Sequence, residues 1–599
     1  MKLEDLIRGI AITDRRGHFD REIRTLTHDS RRIGDGDVFV AINGTGADGH
    51  EFIPEAVQKG ARAVIAERWE PGWDQGGSAR VNVVLVPNPR RAMALAAANM
   101  FGEPSRDMLV AGVTGTNGKT TVTHILEAIF NSAGKKAGVI GTVGARYPGR
   151  SIPLVHTTPD PVTLQGILAK MLVAEVSHVA MEVSSHAVDQ DRVAGIHFKV
   201  CGFTNLTQDH LDYHRDQEAY FQAKAKLFTD VLQKSSARGR MAVINTDDPH
   251  GERLLEMWGG KSLCVSIDRT DADLFVREVE YSLTKTRAVI DAGDKTWDVE
   301  TCLIGAHNLS NVMVAVGMAQ AMGFSTSRIA AGLAELQPVP GRLEPIDNED
   351  GKRVFVDYAH TPDALQRVLS SLKSMTSGRL IVVFGCGGNR DTQKRPEMGK
   401  AVAEHADLAV VTNDNPRDED PDDIARQVES GLLAGGWSRI GTVLAPRTFV
   451  KELDRFRAIE KAVGWMEPGD VLIVAGKGHE QIQVQADATV PFDDREQTRR
   501  ILQGLPPMEA PPPMPPPDVE VDQVVDSVDL EPDIVGEVSD GDPGRKTLTS
   551  DGALPGQSTA DEEDPAPDGE DEDGPGQPSE EDDDGSARDP ENPRPKEGA

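Results

Sequence analysis

One stretch of the chain decides the fold: Leu109-Val110-Ala111-Gly112-Val113-Thr114-Gly115-Thr116-Asn117-Gly118-Lys119-Thr120-Thr121. Its apolar first half is typical of a buried strand, and its glycine-rich second half predicts a turn. A helix is predicted directly after the turn, because apolar side chains recur there at helical spacing: Val122, Ile125, Leu126 and Ile129. A strand, a glycine-rich loop and a helix in this order direct backbone N–H groups towards a phosphate group.

Lys119 and Thr120, which open the predicted helix, favour nucleotide binding over an ordinary glycine turn. A lysine at this position reaches the outer phosphates of a nucleotide, and the hydroxyl that follows it can bind Mg²⁺. The strict phosphate-loop pattern needs glycine where this chain has Val113, so the motif is the shorter variant Gly-Thr-Asn-Gly-Lys-Thr. The motif predicts ATP or GTP binding and leaves open what the phosphate is used for.

The charge of the chain is concentrated at its C-terminal end. The 599 residues carry a net charge of −33, and residues 505–599 hold 29 of the 97 acidic residues but 5 of the 64 basic ones. The same segment has 18 of the 38 prolines and no aromatic residue. It cannot bury enough apolar surface to offset its chain entropy, so we predict a disordered acidic, Pro-rich tail. The rest of the chain has an ordinary charge balance, which does not indicate nucleic-acid binding.

The four cysteines are scattered and show neither metal-site spacing nor a disulfide framework. The first residues do not form a signal peptide, and no apolar run has the length of a membrane span. We therefore expect a cytoplasmic protein, a monomer without membrane insertion; the partner of the tail stays open.

Strand and helix patterns alternate along most of the chain, which predicts an α/β fold of three domains. We place the N-terminal domain at 1–105, the central nucleotide-binding domain with a parallel sheet at 106–336, the C-terminal domain at 337–504 and the tail at 505–599. The predicted strands of the N-terminal domain are 37–42, 61–66 and 81–86. Those of the central and C-terminal domains are 109–114, 138–142, 178–183, 199–204, 241–245, 353–357, 380–384, 408–412 and 471–475.

Polar clusters follow several of these strands, where ligands of parallel sheets gather. Glu182 can complete a magnesium site opposite Lys119, while Ser184 or Ser185 caps the next helix. His210 and His214 are four residues apart, a spacing that on a helix can bind zinc, but the zinc-protease pattern is absent. Beside a phosphate loop, one magnesium ligand in this segment is the better interpretation.

Lys224 lies in a segment, 223–228, that reads as a plain amphipathic helix. A lysine close to a bound metal has a second option, because burial and positive neighbours lower its pKa and the neutral amine can capture CO2 as a carbamate. The sequence leaves both interpretations open.

Three clusters of the C-terminal domain suit an amino acid: Gly385–Asp391, Asp414–Arg417 and Gly476–Glu480. Two arginines can hold a carboxylate and a glutamate can hold an ammonium group. Arg342 and His360, near the start of this domain, can reach across to the nucleotide; helix caps and turns are the alternative.

The motifs together resemble the Mur ligases over roughly residues 20–503. The resemblance rests on the combination of Gly115–Thr120, Thr157–Pro159, Glu182–His186, Asp357–His360 and Asp414–Arg417. It implies a central P-loop-type sheet, a Rossmann-like C-terminal domain and an ATP-dependent amide ligase of peptidoglycan precursor synthesis. The implied substrates are ATP, UDP-MurNAc-L-Ala-D-Glu and meso-diaminopimelate, with Mg²⁺ as cofactor and an acyl phosphate as intermediate.

The resemblance also implies residue roles. Ser30, Thr45, Gly46 and Ala47 would hold the uridine end of the substrate, and Thr157, Thr158, Ser184, Gln190 and Arg192 its muramoyl-peptide end. ATP would be bound by Gly115, Thr116, Asn117, Gly118, Lys119, Thr120, Thr121, Asn308, Arg342 and His360. Magnesium and catalysis would fall to Thr120, Glu182, His210 and Lys224 as a carbamate, together with Lys119. Diaminopimelate would be bound by Arg390, Asp414, Asn415, Pro416, Arg417, Gly476 and Glu480.

Three other functions compete with this interpretation. A folylpolyglutamate synthetase shares the fold, but its chemistry does not explain Asp414–Arg417 or Thr157–Pro159. A lysine-adding Mur ligase typically lacks arginine at the position of Arg417, because lysine has no second carboxylate. A regulatory nucleotide-binding protein would not need every catalytic position. The one departure from the family pattern is Asn389, where aspartate is usual.

Truncation after Gly504 should leave ligase activity and melting temperature nearly unchanged, because a segment without aromatic residues has little surface to bury. Phosphate release and thermal unfolding of the two chains would be compared side by side. A large loss of stability in the shorter chain would mean that the tail packs on the folded domains.

Overall fold

The computed structural model describes residues 1–44, 46–73, 81–209, 213–440 and 444–508. These residues form three domains, each built on its own main sheet with helices against it. The predicted α/β class is confirmed. The predicted tail lies outside the described residues from position 509 onwards and stays a prediction.

The N-terminal domain has a sheet whose described strands run in the order β1-β5-β4-β3-β2, with β1 antiparallel to β5 and the other pairs parallel. Its elements are α1 (Leu3–Leu6), β1 (Asp14–Arg16), β2 (Leu26–Thr27), β3 (Val38–Val40), α2 (Ile53–Gln58), β4 (Ala63–Ala66), β5 (Asn82–Leu85) and α3 (Pro89–Met100). The predicted strands at 37–42, 61–66 and 81–86 correspond to β3, β4 and β5.

The central domain begins with β6, the strand of the deciding stretch. Its elements are β6 (Leu109–Thr114), α4 (Lys119–Ser132), β7 (Ala137–Gly141), β8 (Gly144–Tyr147), β9 (Arg150–Ile152), α5 (Pro161–Val173), β10 (His178–Glu182), α6 (Ser185–Asp189), β11 (Phe198–Phe203), α7 (Gln217–Lys226), β12 (Met241–Asn245), α8 (Pro249–Trp258), β13 (Ser262–Ser266), β14 (Leu274–Tyr281), β15 (Thr286–Asp291), β16 (Thr296–Thr301), α9 (Ala306–Ala321) and α10 (Thr326–Ala334). A π-helical turn, Leu227–Leu232, continues α7.

The central sheet is parallel in its middle, as predicted, and has antiparallel strands at both edges that the sequence analysis did not predict. Its described strands run in the order β16-β15-β14-β13-β12-β11-β6-β10-β7-β8-β9. The strands β8, β9, β15 and β16 join through antiparallel pairs. Because hairpins connect these strands, no crossover helix separates them, and the strand–helix alternation that signals a parallel sheet is absent there.

The C-terminal domain has a sheet in the described order β17-β18-β23-β19-β20-β22-β21, parallel from β18 to β21. Its elements are β17 (Glu344–Pro345), β18 (Arg353–Asp357), α11 (Pro362–Met375), β19 (Leu380–Phe384), α12 (Lys394–His405), β20 (Leu408–Val411), α13 (Pro421–Ala434), β21 (Ser438–Arg439), β22 (Thr448–Lys451), α14 (Arg455–Trp465), β23 (Val471–Ala475), β24 (Ile482–Val484), β25 (Thr489–Pro491) and α15 (Asp494–Leu502).

The buried face of α4 explains why the deciding stretch folds as predicted. Val122, Ile125, Leu126 and Ile129 are all fully buried and pack on the strands of the central sheet and on α9. Burying one such side chain contributes about 1.5–3 kcal/mol, so the helical apolar spacing fixes which side of α4 faces the sheet.

Within the described ranges, none of the helices combines the length and apolar composition that crossing a bilayer requires.

The ion pair between Arg455 and Asp494 joins α14 to α15 in the interior of the C-terminal domain. Both side chains are 0% exposed, and Nη2 of Arg455 lies 2.6 Å from Oδ2 of Asp494. Arg455→Met should lower the free energy of unfolding by about 3–5 kcal/mol, because it leaves the carboxylate buried without its partner.

The matched control is Arg457→Met on the same helix, where the ion pair with Asp454 is 3.9 Å long and exposed. Surface pairs of this kind contribute little, so the control should unfold like the wild type in urea, followed by circular dichroism. Equal stability of the two variants would show that the buried pair is not needed.

Candidate active site

The loop between β6 and α4 is shaped by two glycines. Gly115 and Gly118 have φ of +150° and +91°, values that side-chain-bearing residues rarely adopt. A Cβ on Gly115 would lie 1.9 Å from Oγ1 of Thr204, and one on Gly118 would lie 2.0 Å from Oδ1 of Asn311. Backbone angle and close packing therefore both require glycine at these positions.

Thr204 and Asn205, which follow β11, hold this loop in place through hydrogen bonds. Asn205 accepts hydrogen bonds from the backbone N–H groups of Thr116 through its carbonyl oxygen (2.9 Å) and of Asn117 through its side chain (3.0 Å). Thr204 donates to the carbonyl oxygen of Asn117 at 2.6 Å. The neighbouring parallel strands β6 and β11 therefore end side by side, and the residues after β11 hold the loop that follows β6.

Lys119 and Lys224 meet at one carbonyl group. Nζ of Lys119 donates to the carbonyl oxygen of Gly115 at 2.9 Å and to that of Thr116 at 3.0 Å, and Nζ of Lys224 donates to Gly115 at 2.8 Å. Burial lowers the pKa of both lysines, and for Lys224, which is 1% exposed, it does so well below the usual range. The positive charge of Lys119 lowers the pKa of Lys224 further.

Glu182 ends β10 beside the loop and is 1% exposed. Its Oε1 accepts from the backbone N–H of Thr142 at 2.9 Å and its Oε2 from the Thr142 hydroxyl at 3.1 Å. The Thr142 hydroxyl is also 3.1 Å from that of Thr157. The carboxylate is therefore held in one orientation at the carboxyl end of its strand, where it lines the same cavity as Lys119 and Thr120.

Thr158, Ser184, Gln190 and Arg192 form a chain of hydrogen bonds next to Glu182. The Thr158 hydroxyl donates to the Glu182 carbonyl oxygen (2.9 Å) and accepts from the Ser184 backbone N–H (3.1 Å). Arg192 donates to the Thr158 carbonyl oxygen at 2.8 Å and to Oε1 of Gln190. Ser184 caps α6 by accepting from the Ala187 N–H, so of the two serines considered for the cap it is Ser184 that makes the contact.

A cavity of about 570 Å³ lies between the central and C-terminal domains. The expected site residues that line it are Thr116, Asn117, Gly118, Lys119, Thr120, Thr121, Thr157, Glu182, Ser184, Asn308, Arg342 and His360.

Arg342 and Asn117 connect the two domains at this cavity. Arg342 donates to the Thr120 hydroxyl at 3.3 Å and stacks on the Tyr358 ring, with its guanidinium carbon 4.5 Å from the ring centroid. Asn117 donates to Oδ2 of Asp363 at 3.3 Å. The cavity is therefore a cleft between the two domains, lined by residues at strand ends of both, such as Glu182 and Asp357.

Asn308 and His360 flank the cavity from opposite domains. Asn308 opens α9 and donates to the Ile304 carbonyl oxygen at 3.0 Å, and His360 donates through Nδ1 to the Tyr358 carbonyl oxygen at 2.7 Å. His307, beside Asn308, lines the same cavity, and burial lowers its pKa to about 4, which keeps the ring neutral.

A second cluster lies beyond β19, β20 and β23 of the C-terminal domain. Arg417 donates to the carbonyl oxygens of Gly388 (2.9 Å) and Asn415 (3.5 Å), which holds the second glycine-rich loop against the Asp414–Arg417 segment. Burial lowers the pKa of Arg417, and the nearby charge of Arg390 lowers it further. Two guanidinium groups lie near each other here, an arrangement that suits a bound carboxylate.

Asp414 and Glu480 bring negative charge to the same cluster. Asp414 is 7% exposed, and among the described residues no donor reaches its Oδ2. A Cβ on Gly476 would lie 2.4 Å from that oxygen, so the absence of a side chain at Gly476 leaves space beside Oδ2. Asn415 donates to Oε2 of Glu480 at 2.8 Å. The expected residues of the three C-terminal clusters are therefore assembled at one end of the sheet.

The expected uridine residues lie apart from both clusters, at the carboxyl ends of β2 and β3. Ser30 donates to Oε2 of Glu55 at 3.3 Å, and Gly44 donates to the Ala47 carbonyl oxygen across a turn that contains Gly46. Thr45 and His210 lie outside the described residues. In the described part of the chain, no three His, Cys, Asp or Glu side chains are grouped to hold a metal ion.

Two residues that the sequence analysis did not single out belong to these clusters. Thr142 orients Glu182, and Lys477, 0% exposed, donates to Asn415 and Glu480. The sequence feature that could have indicated both residues was their position. Each follows a buried strand, and Lys477 is flanked by Gly476 and Gly478.

Comparison with known proteins identifies the class that this fold and site define. Residues 22–100 match the "Mur ligase family, catalytic domain", residues 113–319 the "Mur ligase middle domain" and residues 341–478 the "Mur ligase, glutamate ligase domain". The chain belongs to the Mur ligase family.

The relatives give a more particular likeness. The UDP-N-acetylmuramoyl-L-alanyl-D-glutamate–2,6-diaminopimelate ligase of Geobacillus thermodenitrificans is 42% identical over 80% of this chain and 94% of its own. The protein of the same name from Syntrophomonas wolfei is 38% identical over 84% of this chain and 99% of its own. A solved structure of a ligase of that name is 30% identical, with a TM-score of 0.60 over 84% of this chain and 99% of its own.

Proposed function

We propose that this Mur ligase uses ATP to join meso-diaminopimelate to the side-chain carboxylate of D-glutamate in UDP-MurNAc-L-Ala-D-Glu, a step of peptidoglycan precursor synthesis. The observation that carries the proposal is a phosphate loop at the cavity between the domains, with a cluster of opposite charges in the C-terminal domain beside it. Lys119 and Thr120 line the cavity together with Tyr358. The charges of Asp414 and Glu480 act on both Tyr358 and Arg417.

The reaction has two steps, and in each step one bond forms while another breaks. A carboxylate oxygen of the substrate forms a bond to the γ-phosphorus of ATP while the bond to ADP breaks, which yields an acyl phosphate. The neutral amine of diaminopimelate then attacks the acyl carbon, phosphate leaves, and the amine loses a proton. Lys119 and Arg342 would stabilise negative charge on the transferred phosphoryl group, and the cleft between the domains would limit hydrolysis.

Mg²⁺ fits the oxygen donors at the loop. Thr120 and Glu182 are buried, line one cavity with Lys119, and offer a hydroxyl and a carboxylate, which Mg²⁺ accepts beside phosphate oxygens and water. We assign these two residues, His210 and a carbamate on Lys224 to the ion. When bound, Mg²⁺ offsets charge on the phosphates. Glu182 is oriented for this by Thr142.

The charged cluster of the C-terminal domain would bind diaminopimelate by one end. Arg390 and Arg417 would hold its distal carboxylate and Asp414 and Glu480 the adjacent ammonium, with Asn415, Pro416 and Gly476 shaping the pocket. Pro416 restricts the backbone just before Arg417, whose φ of +52° is itself unusual for a side-chain-bearing residue.

The remaining assignments complete the substrate path. ATP would contact Gly115, Thr116, Asn117, Gly118, Thr121, Asn308 and His360; the muramoyl-peptide would contact Thr157, Thr158, Ser184, Gln190 and Arg192; and the uridine end Ser30, Thr45, Gly46 and Ala47. We propose domain limits at 1–105, 106–336 and 337–504, since each range contains one main sheet.

Lys224 should take up CO2 as a carbamate. Its pKa is lowered by burial and by Lys119, so the amine is neutral above that lowered pKa and becomes protonated as the pH falls. With ¹³C-bicarbonate, a carbamate carbon resonance should be present near pH 8 and disappear on acidification.

Lys224→Ala should remove this resonance and most turnover, and formate should restore part of the turnover by supplying a small carboxylate. The control is Lys226→Ala, two residues along α7, where the side chain is exposed and pairs with Asp189. It should keep both the resonance and the turnover. A Lys224→Ala protein with a normal resonance would refute the modification at this residue.

The function itself is tested by phosphate release from ATP with UDP-MurNAc-L-Ala-D-Glu and either meso-diaminopimelate or lysine. Lysine lacks the distal carboxylate, so Arg417 would be left without its partner, at a cost of about 2–5 kcal/mol. At ~1.4 kcal/mol per tenfold, diaminopimelate should be preferred roughly 30-fold to several thousand-fold.

Arg417→Ala should raise the KM for diaminopimelate, narrow its advantage over lysine and affect the KM for ATP much less. If the wild type uses lysine and diaminopimelate equally well, the proposed specificity is wrong. If neither amino acid supports phosphate release, the proposed reaction is wrong.

A further inference from the structure

Lys477 lies at the centre of the charged cluster of the C-terminal domain (the amino-acid cluster: Arg390, Asp414, Asn415, Arg417 and Glu480). It is two residues beyond the end of β23, and its side chain is 0% exposed. Its Nζ lies 3.2 Å from Oδ1 of Asn415 and 3.2 Å from Oε2 of Glu480, and it also donates to the carbonyl oxygen of Ile482. An ammonium group has three N–H bonds, so these three acceptors use all of them. The side chain is therefore held in a single position.

Lys477 determines which way the Asn415 amide faces. Oδ1 of Asn415 accepts from Lys477 and from the backbone N–H of Val484, the latter at 3.0 Å. With two donors at the oxygen, the amide nitrogen is the atom left to face Glu480, and it donates to Oε2 at 2.8 Å.

The two bonds that result end on one oxygen of Glu480. Oε2 accepts from both Asn415 and Lys477, while within the described ranges no donor reaches Oε1. The Glu480 side chain is 30% exposed, so its carboxylate is at the surface of the cluster although its partner Lys477 is buried beneath it. One oxygen is thus fixed by the protein and the other stays available to a ligand.

We propose that Lys477 is the positioning residue for ammonium recognition: it fixes Glu480 through Oε2 so that Oε1 accepts from the ammonium group of the bound amino acid. The inference rests on the proposed function and deepens it by assigning the orientation of Glu480, which contacts the ammonium group, to a buried lysine. The positive charge of Lys477 also offsets the negative charge of Asp414 and Glu480, which both act on Arg417.

The test is Lys477→Met, which keeps the length of the side chain and removes its donors and charge. The Kd for meso-diaminopimelate, measured by calorimetry on the full-length protein, should rise about 10- to 100-fold, the effect of losing hydrogen bonds to a charged group. Pimelate has the same carbon chain and both carboxylates but no ammonium groups, so its Kd should not change between the two proteins.

A double-mutant cycle asks whether Lys477 acts through Glu480. Glu480→Gln alone should weaken diaminopimelate binding, and adding Lys477→Met to it should change the Kd by less than ~2-fold, because coupled residues are not additive. Additive effects would show that the lysine acts by another route and would overturn the proposal.

Lys373→Met serves as the matched control. Lys373 pairs with Asp407 at 2.5 Å at the opposite end of the same sheet, so this variant loses a lysine ion pair without touching the cluster. It should bind diaminopimelate like the wild type. If Lys477→Met does not fold by circular dichroism, Lys477→Gln, which keeps a neutral donor, takes its place with the same expected selectivity between the two ligands.

Two outcomes would overturn the inference while the proposed function stands: an unchanged Kd for diaminopimelate, or an equal loss of pimelate and diaminopimelate binding. The second would show that Lys477 only maintains the local fold. A wild-type protein that neither binds nor uses diaminopimelate would refute the proposed function, and the inference with it.

Discussion

The Gly115 carbonyl oxygen is the acceptor on which the nucleotide side of the cleft depends. The amines of Lys119 and Lys224 both donate to it, which brings two basic groups together inside the protein. Burial disfavours the charged form of both amines and lowers the pKa of each, and the charge of Lys119 lowers the pKa of Lys224 further. A bound phosphate group, or the carboxylate proposed on Lys224, would offset this positive charge, so the arrangement favours negative groups at this point.

The contacts of the two lysines depend on the shape of this loop. Neither amine could reach that oxygen unless β6 ended beside β11 and the chain turned sharply at Gly115, where a Cβ would collide with Thr204. The parallel strands of the C-terminal domain also end in polar side chains. These are guanidinium and carboxylate groups, which suit a zwitterion rather than a phosphate. Arg342 bonds one domain to the other through Thr120.

The sequence predicted the buried parallel strands to within a residue or two, and the structure shows why. Strands such as Leu380–Phe384 and Val471–Ala475 are buried along their whole length, so they read as continuous apolar runs. The strand Leu274–Tyr281, third from one edge of the central sheet, is half-exposed and carries charged residues, so it gives no such run, and it was missed with its neighbours. Several site motifs were recognised because they follow a buried strand, whereas Thr157–Pro159, which follows the exposed strand β9, was recognised through the family resemblance.

Contacts between those motifs could not be predicted from their spacing. Lys477 and Asn415 are 62 residues apart, and Thr142 and Glu182 are 40 apart, so each pairing depends on the order of strands in the finished sheet. The same holds for the backbone strain at the amino-acid cluster. Asn389 and Arg417 both have positive φ, and each is held by a partner distant in the chain: the Asn389 N–H donates to Glu419, and the Arg417 N–H to Val484.

Positive φ values at side-chain-bearing residues persist only where the surrounding structure holds them. The contacts that hold the two strained loops therefore also fix the orientation of the Arg417 side chain. A guanidinium fixed in this way favours a ligand that already carries a carboxylate at the matching place, because neither partner has to be reoriented on binding. In the proposed function, selection among amino acids would therefore depend less on the number of charges in the cluster than on the small number of positions that Arg417 can take.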